Sequence, residues 1–439
     1  MRRLIILCPL KCFGSIRVDR NGYSIGFGVG SSTLAAHQPI VAHVTPWYLP
    51  HIGGLERHVE AISGGISAFE STILTPRLPG TSSIERPAQN VMVRRFGPIK
   101  HPPGPEPRPF AAARDWIARL ARLRNLREAL QDLKFDILHV HRPPLIELAY
   151  FVARRGQIPA LQYLARRLNR LPTGHRPQVL TDHGMFVMPS TPVPLDIRWF
   201  MEWVLDEFDH VICVDKSGFE RAQMFRQSDP SRFEDVTIHH IPQPMDTNLF
   251  RPTPMPQAGD LIVGYSGRWE RDGMFILQSL VKERLPGVRF VVAGGATRRD
   301  LAIYGQAFSK MGVEVRPNLL DPSDLVRFYR DIHVLVDFYR GDGCGRSVLE
   351  AMACGRPVVR TTSRDTHPVS DGETGFLVSP DVSAYARKLR DILGHKEEVK
   401  EMGRRARRIL EDEYGARVVL ARIEKVYRDC MASGRRHVR

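Results

Sequence analysis

Short apolar runs alternate with longer amphipathic stretches along this chain, and that alternation constrains the fold more than any other feature. In the first half the apolar runs are Ile40–Val44, Ile137–Val140, Val179–Thr181, Val211–Val214 and Thr237–Ile241, with helical patterns after Gly54 and across Lys216–Phe225. The second half repeats the logic at Leu261–Ser266, Arg289–Ala293, Val313–Val315, Val334–Asp337, Pro357–Arg360 and Gly375–Val378. Strand and helix in turn make β-α-β units and a mostly parallel sheet. Between the halves, Phe250–Asp260 carries Pro252, Pro254 and Pro256 and reads as a linker. The expected fold class is therefore α/β: two doubly wound, Rossmann-like domains, residues 39–250 and 251–415, facing across a cleft. Residues 1–38, with the glycine-rich Gly22–Gly30, read as an N-terminal extension, and 416–439 as a C-terminal helix and basic tail packing back toward the N-terminal domain. Open parallel sheets bind ligands beyond the carboxyl ends of their strands, so the cleft is the expected site.

Composition removes other classes. The chain has 439 residues, 43% hydrophobic and 25% charged, which suits a folded chain with large cores rather than a disordered or fibrous one. No apolar run approaches the roughly 18 residues that a spanning helix needs. Leu4–Leu10 is short, broken by Lys11 and lacks a small-residue cleavage site, which argues against a secretory signal. The six cysteines are scattered and form no CxxC pair, which fits a reducing cytoplasm. A formal charge of +15 favours an anionic partner: nucleic acid, anionic membrane or a phosphorylated substrate.

Two motifs carry chemistry. After the first strand, Thr45–Leu55 runs through Gly53 and Gly54 into a helix. Adjacent glycines there either make a tight turn or let a phosphate approach the helix N-terminus. The segment is not a GxGxxG and no Walker lysine follows, so nicotinamide and P-loop readings lose ground. The second motif is Gly341–Gly355 (GDGCGRSVLEAMACG). Gly343 and Gly345 form a permissive loop, and Asp342 and Glu350, eight residues apart, flank a helix N-terminus where carboxylates accept hydrogen bonds from hydroxyl groups. A loop Asp and a dipole-stabilising Glu would leave the same pattern.

This tandem resembles glycosyltransferase family 4, retaining enzymes of the GT-B fold (glycosyl transferases group 1), over roughly residues 40–430. The family pairs a GG loop with an E-x7-E element, an LEAMA-like helix, G and PVV. Here these are Gly53-Gly54, Asp342-x7-Glu350 with Leu349–Cys354, Gly355 and Pro357-Val358-Val359, supported by Asp136–His141, Thr181–Gly184, Gly267-Arg268 and Asp371–Val378. The resemblance implies a hexose moved from a nucleotide diphosphate sugar to an acceptor hydroxyl, with no cofactor and no metal. It implies that Gly53 and Gly54 approach the donor diphosphate, Arg268 neutralises it as it leaves, Glu350 holds the ribose, and Asp342 holds sugar hydroxyls with backbone N–H groups from Gly343 through Cys344 and Gly345 to Arg346. His183 is placed beside the sugar carbon under attack. The chain departs from the pattern in Asp342, in Cys344, in Pro244 after Gln243, and in Asp272 where the family has lysine, with Arg271 as the substitute cation. An inactive or partner-dependent member, or a GT-B phosphorylase or epimerase, is the competing reading.

No metal site is apparent, and the carboxylate runs Asp206–Asp209 and Glu411–Glu413 read as solvated helix faces. The stretch Arg114–Arg127 spaces Trp116, Leu120 and Leu123 helically among arginines; it is either a domain helix or a surface for an anionic membrane. With the other basic stretches, it makes a lipid-linked or cell-envelope glycan the expected acceptor and the cytoplasm, at its membrane face, the expected location. Nucleic-acid binding ranks well below, because no RNP-like, zinc-knuckle or basic-zipper pattern occurs and the charge is spread over both domains.

Overall fold

The computed structural model describes residues 38–98, 111–144, 158–184, 198–257, 259–267, 269, 273–296, 298–319 and 321–433. Two parallel sheets dominate. The first has eight strands in the order β3-β4-β2-β1-β5-β6-β7-β8: β1 Ile40–Val44, β2 Glu70–Pro76, β3 Ile84–Ala88, β4 Val91–Phe96, β5 Ile137–Val140, β6 Gln178–Asp182, β7 His210–Cys213 and β8 Thr237–His240. Only β3 runs antiparallel, against β4. The second has six, in the order β11-β10-β9-β12-β13-β14: β9 Leu261–Ser266, β10 Val288–Gly294, β11 Glu314–Pro317, β12 Val334–Asp337, β13 Val358–Thr361 and β14 Gly375–Val378. Each sheet is doubly wound. The order reverses between β1 and β5 in one and between β9 and β12 in the other, so each sheet has a crevice where neighbouring connections part.

The apolar runs read from sequence fall on strands with shifts of one residue or so, because strands buried on both faces are near-continuous apolar stretches. Three strands, β2, β3 and β4, escaped that reading. β3 is mostly exposed (Ile-Glu-Arg-Pro-Ala), β4 alternates buried and half-buried positions, and both lie at one edge of the sheet. The carboxylate run Asp206–Asp209 is also not the solvated face expected. Glu207 and Asp209 are buried, where Asp209 accepts the Gln178 backbone N–H at 2.8 Å and Glu207 pairs with Arg170 at 2.9 Å.

The chain returns across the molecule near its end. Met245 N–H donates to Tyr414 O (2.8 Å) and Ala416 N–H to Met245 O (2.9 Å), splicing the start of the helix Ala416–Ser433 to the linker region. That helix buries Val419, Ile423, Val426, Tyr427 and Cys430 against Val41, Ile137, Val179 and Ile212 of the first sheet. Fully burying one such aliphatic side chain stabilises by about 1.5–3 kcal/mol. Arg356, essentially unexposed, ties the linker to the second sheet: its guanidinium donates to Tyr329 O, Thr253 O, Thr253 Oγ1, Pro254 O and Arg330 O at 2.9–3.3 Å. Arg407 is similarly employed, donating to the carbonyls of Ala353 and Thr247. No described helix is long and apolar enough to cross a membrane.

Candidate active site

The loop after β12 leads into the helix Arg346–Ala353, whose N-cap is Gly345, with no side chain capping it. Its first N–H groups therefore remain available to an anion. Glu350, one turn in, is buried; its carboxylate accepts from Tyr329 Oη (3.0 Å) and Arg346 Nε (3.0 Å). Burial pushes its pKa up, and Arg346, Tyr329 and Arg57 oppose that. Arg346 Nη1 is buried without a hydrogen-bond partner.

Gly343 occupies the left-handed region (φ +79°), and a Cβ there would collide with the Asp215 carboxylate of the other domain. Only glycine lets the two domains meet this closely. Asp342 turns its Oδ1 to the backbone N–H groups of Arg364 (3.0 Å) and Asp365 (3.1 Å), so at least one carboxylate oxygen holds the loop after β13. Cys344 packs its thiol on Arg360 and Thr366 O, and burial pushes the thiol up to about 12, so it stays protonated. The buried Arg360 also donates to Gly341 O at 3.0 Å. At the sheet's carboxyl edge Asn318 adopts φ +56°, donates to Gly294 O at 2.7 Å and accepts the Ala296 N–H at 3.0 Å, joining the ends of β10 and β11.

Across the cleft, the helix Gly54–Gly65 begins directly after β1. Gly53 is extended (φ −163°), a conformation any residue adopts, and a Cβ on Gly54 would meet nothing within 4 Å. A tight turn is therefore not what these glycines supply; they leave the helix N-terminus without side-chain cover. Arg57 of this helix bears electrostatically on Glu350, and Arg346 of the second domain on His58, so the first turns of the two helices lie within electrostatic reach of each other.

His183 follows β6 and stands edge-on to His58, ring centroids 4.6 Å apart. It belongs to a group that sequence reasoning passed over: His43 on β1, His58, and His139 and His141 on and just after β5. All are buried except the half-buried His183. His43 is the register partner of His139, and His139 and His141 share a strand face, so the H-x-H spacing in Asp136–His141 was the available signal. Burial lowers every one of these pKa values, His43 to about 3 and His183 to about 4, which keeps the rings neutral. In two groups of three, His43-His139-His141 and His58-His141-His183, one ring nitrogen from each histidine lies within 4.8 Å of the other two.

Gly53, Gly54 and His183 follow the carboxyl ends of β1 and β6 in the first sheet, and Asp342, Gly343, Cys344, Gly345, Arg346 and Glu350 follow the carboxyl end of β12 in the second. Arg268 and Arg271 lie outside the described residues. Trp269, between them in sequence, is fully buried and bonds Ala293 O through Nε1 at 3.1 Å.

Residues 52–248 match the family described as Glycosyltransferase Family 4, and residues 260–395 the one described as Glycosyl transferases group 1. The chain belongs to glycosyltransferase family 4. Relatives of this glycosyltransferase include EpsD of Bacillus subtilis, provisionally assigned as a glycosyltransferase, 26% identical over 66% of this chain and 75% of EpsD. A D-inositol 3-phosphate glycosyltransferase of Mycobacterium sp. (strain JLS) is 30% identical over 59% of each chain. Among solved structures, sucrose-phosphate synthase from Thermosynechococcus elongatus superposes with TM-score 0.67 at 17% identity, covering 90% of this chain and 100% of that one. HepE of Anabaena, solved with UDP and glucose, gives 0.61 at 15%, covering 89% and 100%. The fold of this glycosyltransferase is GT-B.

Proposed function

We propose that the protein transfers a hexose from a nucleoside diphosphate sugar to an acceptor hydroxyl with retention of anomeric configuration. One observation carries the reading: two helices with uncapped N-termini, Gly54–Gly65 and Arg346–Ala353, follow strand ends in the two domains within electrostatic reach of each other, and the second holds the buried, doubly hydrogen-bonded Glu350. A diphosphate is dianionic or more, and two positive dipole ends with Arg346 beside them neutralise it. Glu350 would accept from the ribose hydroxyls, and Asp342, through lone pairs its backbone bonds leave over, from hydroxyls of the sugar. Arg268 and Arg271 are assigned by sequence to the departing diphosphate. In the transfer the C1–O bond to the diphosphate breaks, the acceptor oxygen bonds C1 on the same face, and the acceptor proton passes to the diphosphate. The donor phosphates are neutralised by these cations and dipoles, without a metal chelated to them and without a further cofactor.

The acceptor side is the N-terminal domain with His183. A lipid-linked or cell-envelope glycan is the acceptor class we assign, reached from the cytoplasmic membrane face by the net +15 chain. A thermal-shift panel of UDP, GDP, ADP and CDP with their sugars tests the donor site. At a hundredfold excess over Kd a ligand stabilises by about 2.7 kcal/mol, so one base should raise Tm clearly. No shift with any of them in folded protein sinks the donor site and makes this a member that does not bind sugar nucleotides. Turnover that requires inorganic phosphate would instead mark a phosphorylase.

A further inference from the structure

A groove of about 500 Å³ lies between residues 248–251 and the helix Pro322–Arg330, lined by none of the residues assigned to the donor or the acceptor. Three of its lining side chains are arginines: Arg251, Arg327 and Arg330. Ser323, Arg327 and Arg330 stand at i, i+4 and i+7 and form one stripe of that helix. Tyr329 leaves the helix in another direction, to Glu350 at 3.0 Å, so the groove shares an element with the donor site without being part of it. The two walls are fixed to each other. Buried Phe250 packs on Tyr329, ring centroids 6.2 Å apart, and Arg356 bonds Arg330 O together with the linker carbonyls of Thr253 and Pro254. Asp246 Oδ1 accepts the N–H groups of Asn248 and Leu249 at 3.0 Å, which shapes the turn before Arg251.

The acids along the helix are already engaged. Asp321 caps it through the Ser323 N–H (2.7 Å), Asp324 pairs with Arg327 at the surface, and Asp331 pairs with Arg316 (2.6 Å). Among the described residues, neither Arg251 nor Arg330 has a carboxylate partner or a side-chain hydrogen bond, and Arg330 Nε is buried with nothing to donate to. A buried N–H without an acceptor is costly, and native structures leave few of them. Each guanidinium presents its donors in a planar fork that matches phosphate oxygens, and two uncompensated forks balance a dianion. We infer that this groove binds the phosphate monoester group of a small phosphorylated molecule, with Arg251 and Arg330 on the phosphate oxygens and with Asn248 and Ser323 at hand for hydroxyl groups. Small-molecule pockets measure about 300–1,000 Å³, so the volume suits a ligand of sugar-phosphate size. Three arginines gathered at one groove serve a single phosphate group, whereas a nucleic-acid track needs cations spaced along a backbone. The binding is independent of sugar transfer and holds whether or not the chain turns over a sugar nucleotide.

The test is isothermal titration of the full chain at fixed ionic strength and without sugar nucleotide, using inorganic phosphate and glycerol 3-phosphate as probes and glycerol as the uncharged control. Wild type should bind both phosphates saturably at millimolar concentration or below, and glycerol not at all. Arg330→Gln, checked for folding by circular dichroism, should weaken binding by about tenfold or more, and the exposed Arg251→Gln by about threefold or more. Arg289→Gln, which alters an exposed arginine of the same domain paired with Asp260, should leave it unchanged. A lipid headgroup can carry the same monoester, so phosphatidylcholine vesicles with and without phosphatidic acid form a second arm. Binding of glycerol 3-phosphate that the two variants weaken assigns the phosphate to a soluble molecule; sedimentation with phosphatidic acid vesicles alone, lost in the same variants, assigns it to a lipid. No saturable binding in either arm overturns the inference, as does affinity that survives in either folded variant, since the phosphate is then held elsewhere. If Arg330→Gln fails to fold, Arg251→Gln decides.

Discussion

At the scale of single residues, the site is built from groups that the fold leaves incompletely satisfied. Glu350 is the clearest. Its carboxylate is held by Tyr329 and Arg346 in the first turns of an uncapped helix, and in the proposed function its remaining lone pairs accept from a ligand hydroxyl. A hydrogen bond to a charged group is worth about 1.5–3 kcal/mol. Glu350→Ala should therefore lower kcat/KM by roughly tenfold to a hundredfold, and Glu350→Gln, which keeps the shape, should leave the melting temperature near wild type while still losing activity. Full activity in both variants would remove Glu350 from the site. Gly343 matters for a different reason. Ala at this position meets both a left-handed backbone, costing about 1–2 kcal/mol, and the Asp215 side chain, so Gly343→Ala should loosen the contact between the domains.

At the scale of elements, the helix Ala416–Ser433 decides whether the first sheet is covered. Its buried positions, 419, 423, 426, 427 and 430, follow the helical stripe, and they fill a face of the sheet that β1, β5, β6 and β7 leave apolar. Ile423→Ala removes a fully buried side chain and should destabilise the chain by about 2–5 kcal/mol in denaturant titrations; a change below 0.5 kcal/mol would show that the helix is not integral. The helix Ala111–Gln131 shows how a stripe is divided. Leu123, Leu126 and Leu130 are buried in the domain core while Leu120 is 43% exposed, and Arg127 donates to the carbonyls of Arg167, Leu168 and Arg170 at 3.0–3.2 Å. Its carboxyl-terminal half is a domain helix, with Arg127 satisfying the end of a neighbouring helix.

At the scale of the molecule, the two domains meet through acidic groups. Asp365 Oδ2 accepts the Ser217 N–H at 3.0 Å at the N-terminus of the helix Lys216–Ser228, and Asp215 sits beside Gly343. Burial, then Asp182 and Asp365, push Asp215 from 3.8 up to about 7, with Arg360 opposing and Asp342 adding to the rise. A raised folded pKa means that the native chain keeps a proton the unfolded chain has lost. Stability from this group is thus fully present below about pH 4, declines as pH rises to about 7, and is flat above. Asp215→Asn should raise the melting temperature relative to wild type at pH 8 and not at pH 4; equal shifts at both values would refute the assignment. Much of this molecule was legible in the sequence. The parallel strands, the proline linker, the glycine-bounded helix at 346–353 and the acids at 342 and 350 follow from local rules of periodicity, capping and turn chemistry, which act over a few residues. The edge strands β3 and β4 were not legible, because a half-exposed strand carries no continuous apolar signal. Nor were the buried Asp209, the engagement of Asp342 with backbone, or the pressing of Asp215 on Gly343. The five histidines show the division most plainly: they come from three strand ends and a helix spread over residues 43 to 183, and parallel topology alone sets them side by side. Local sequence determines what each segment becomes; which unsatisfied groups meet is decided by strand order, since that requires the long-range pairing only the tertiary structure supplies.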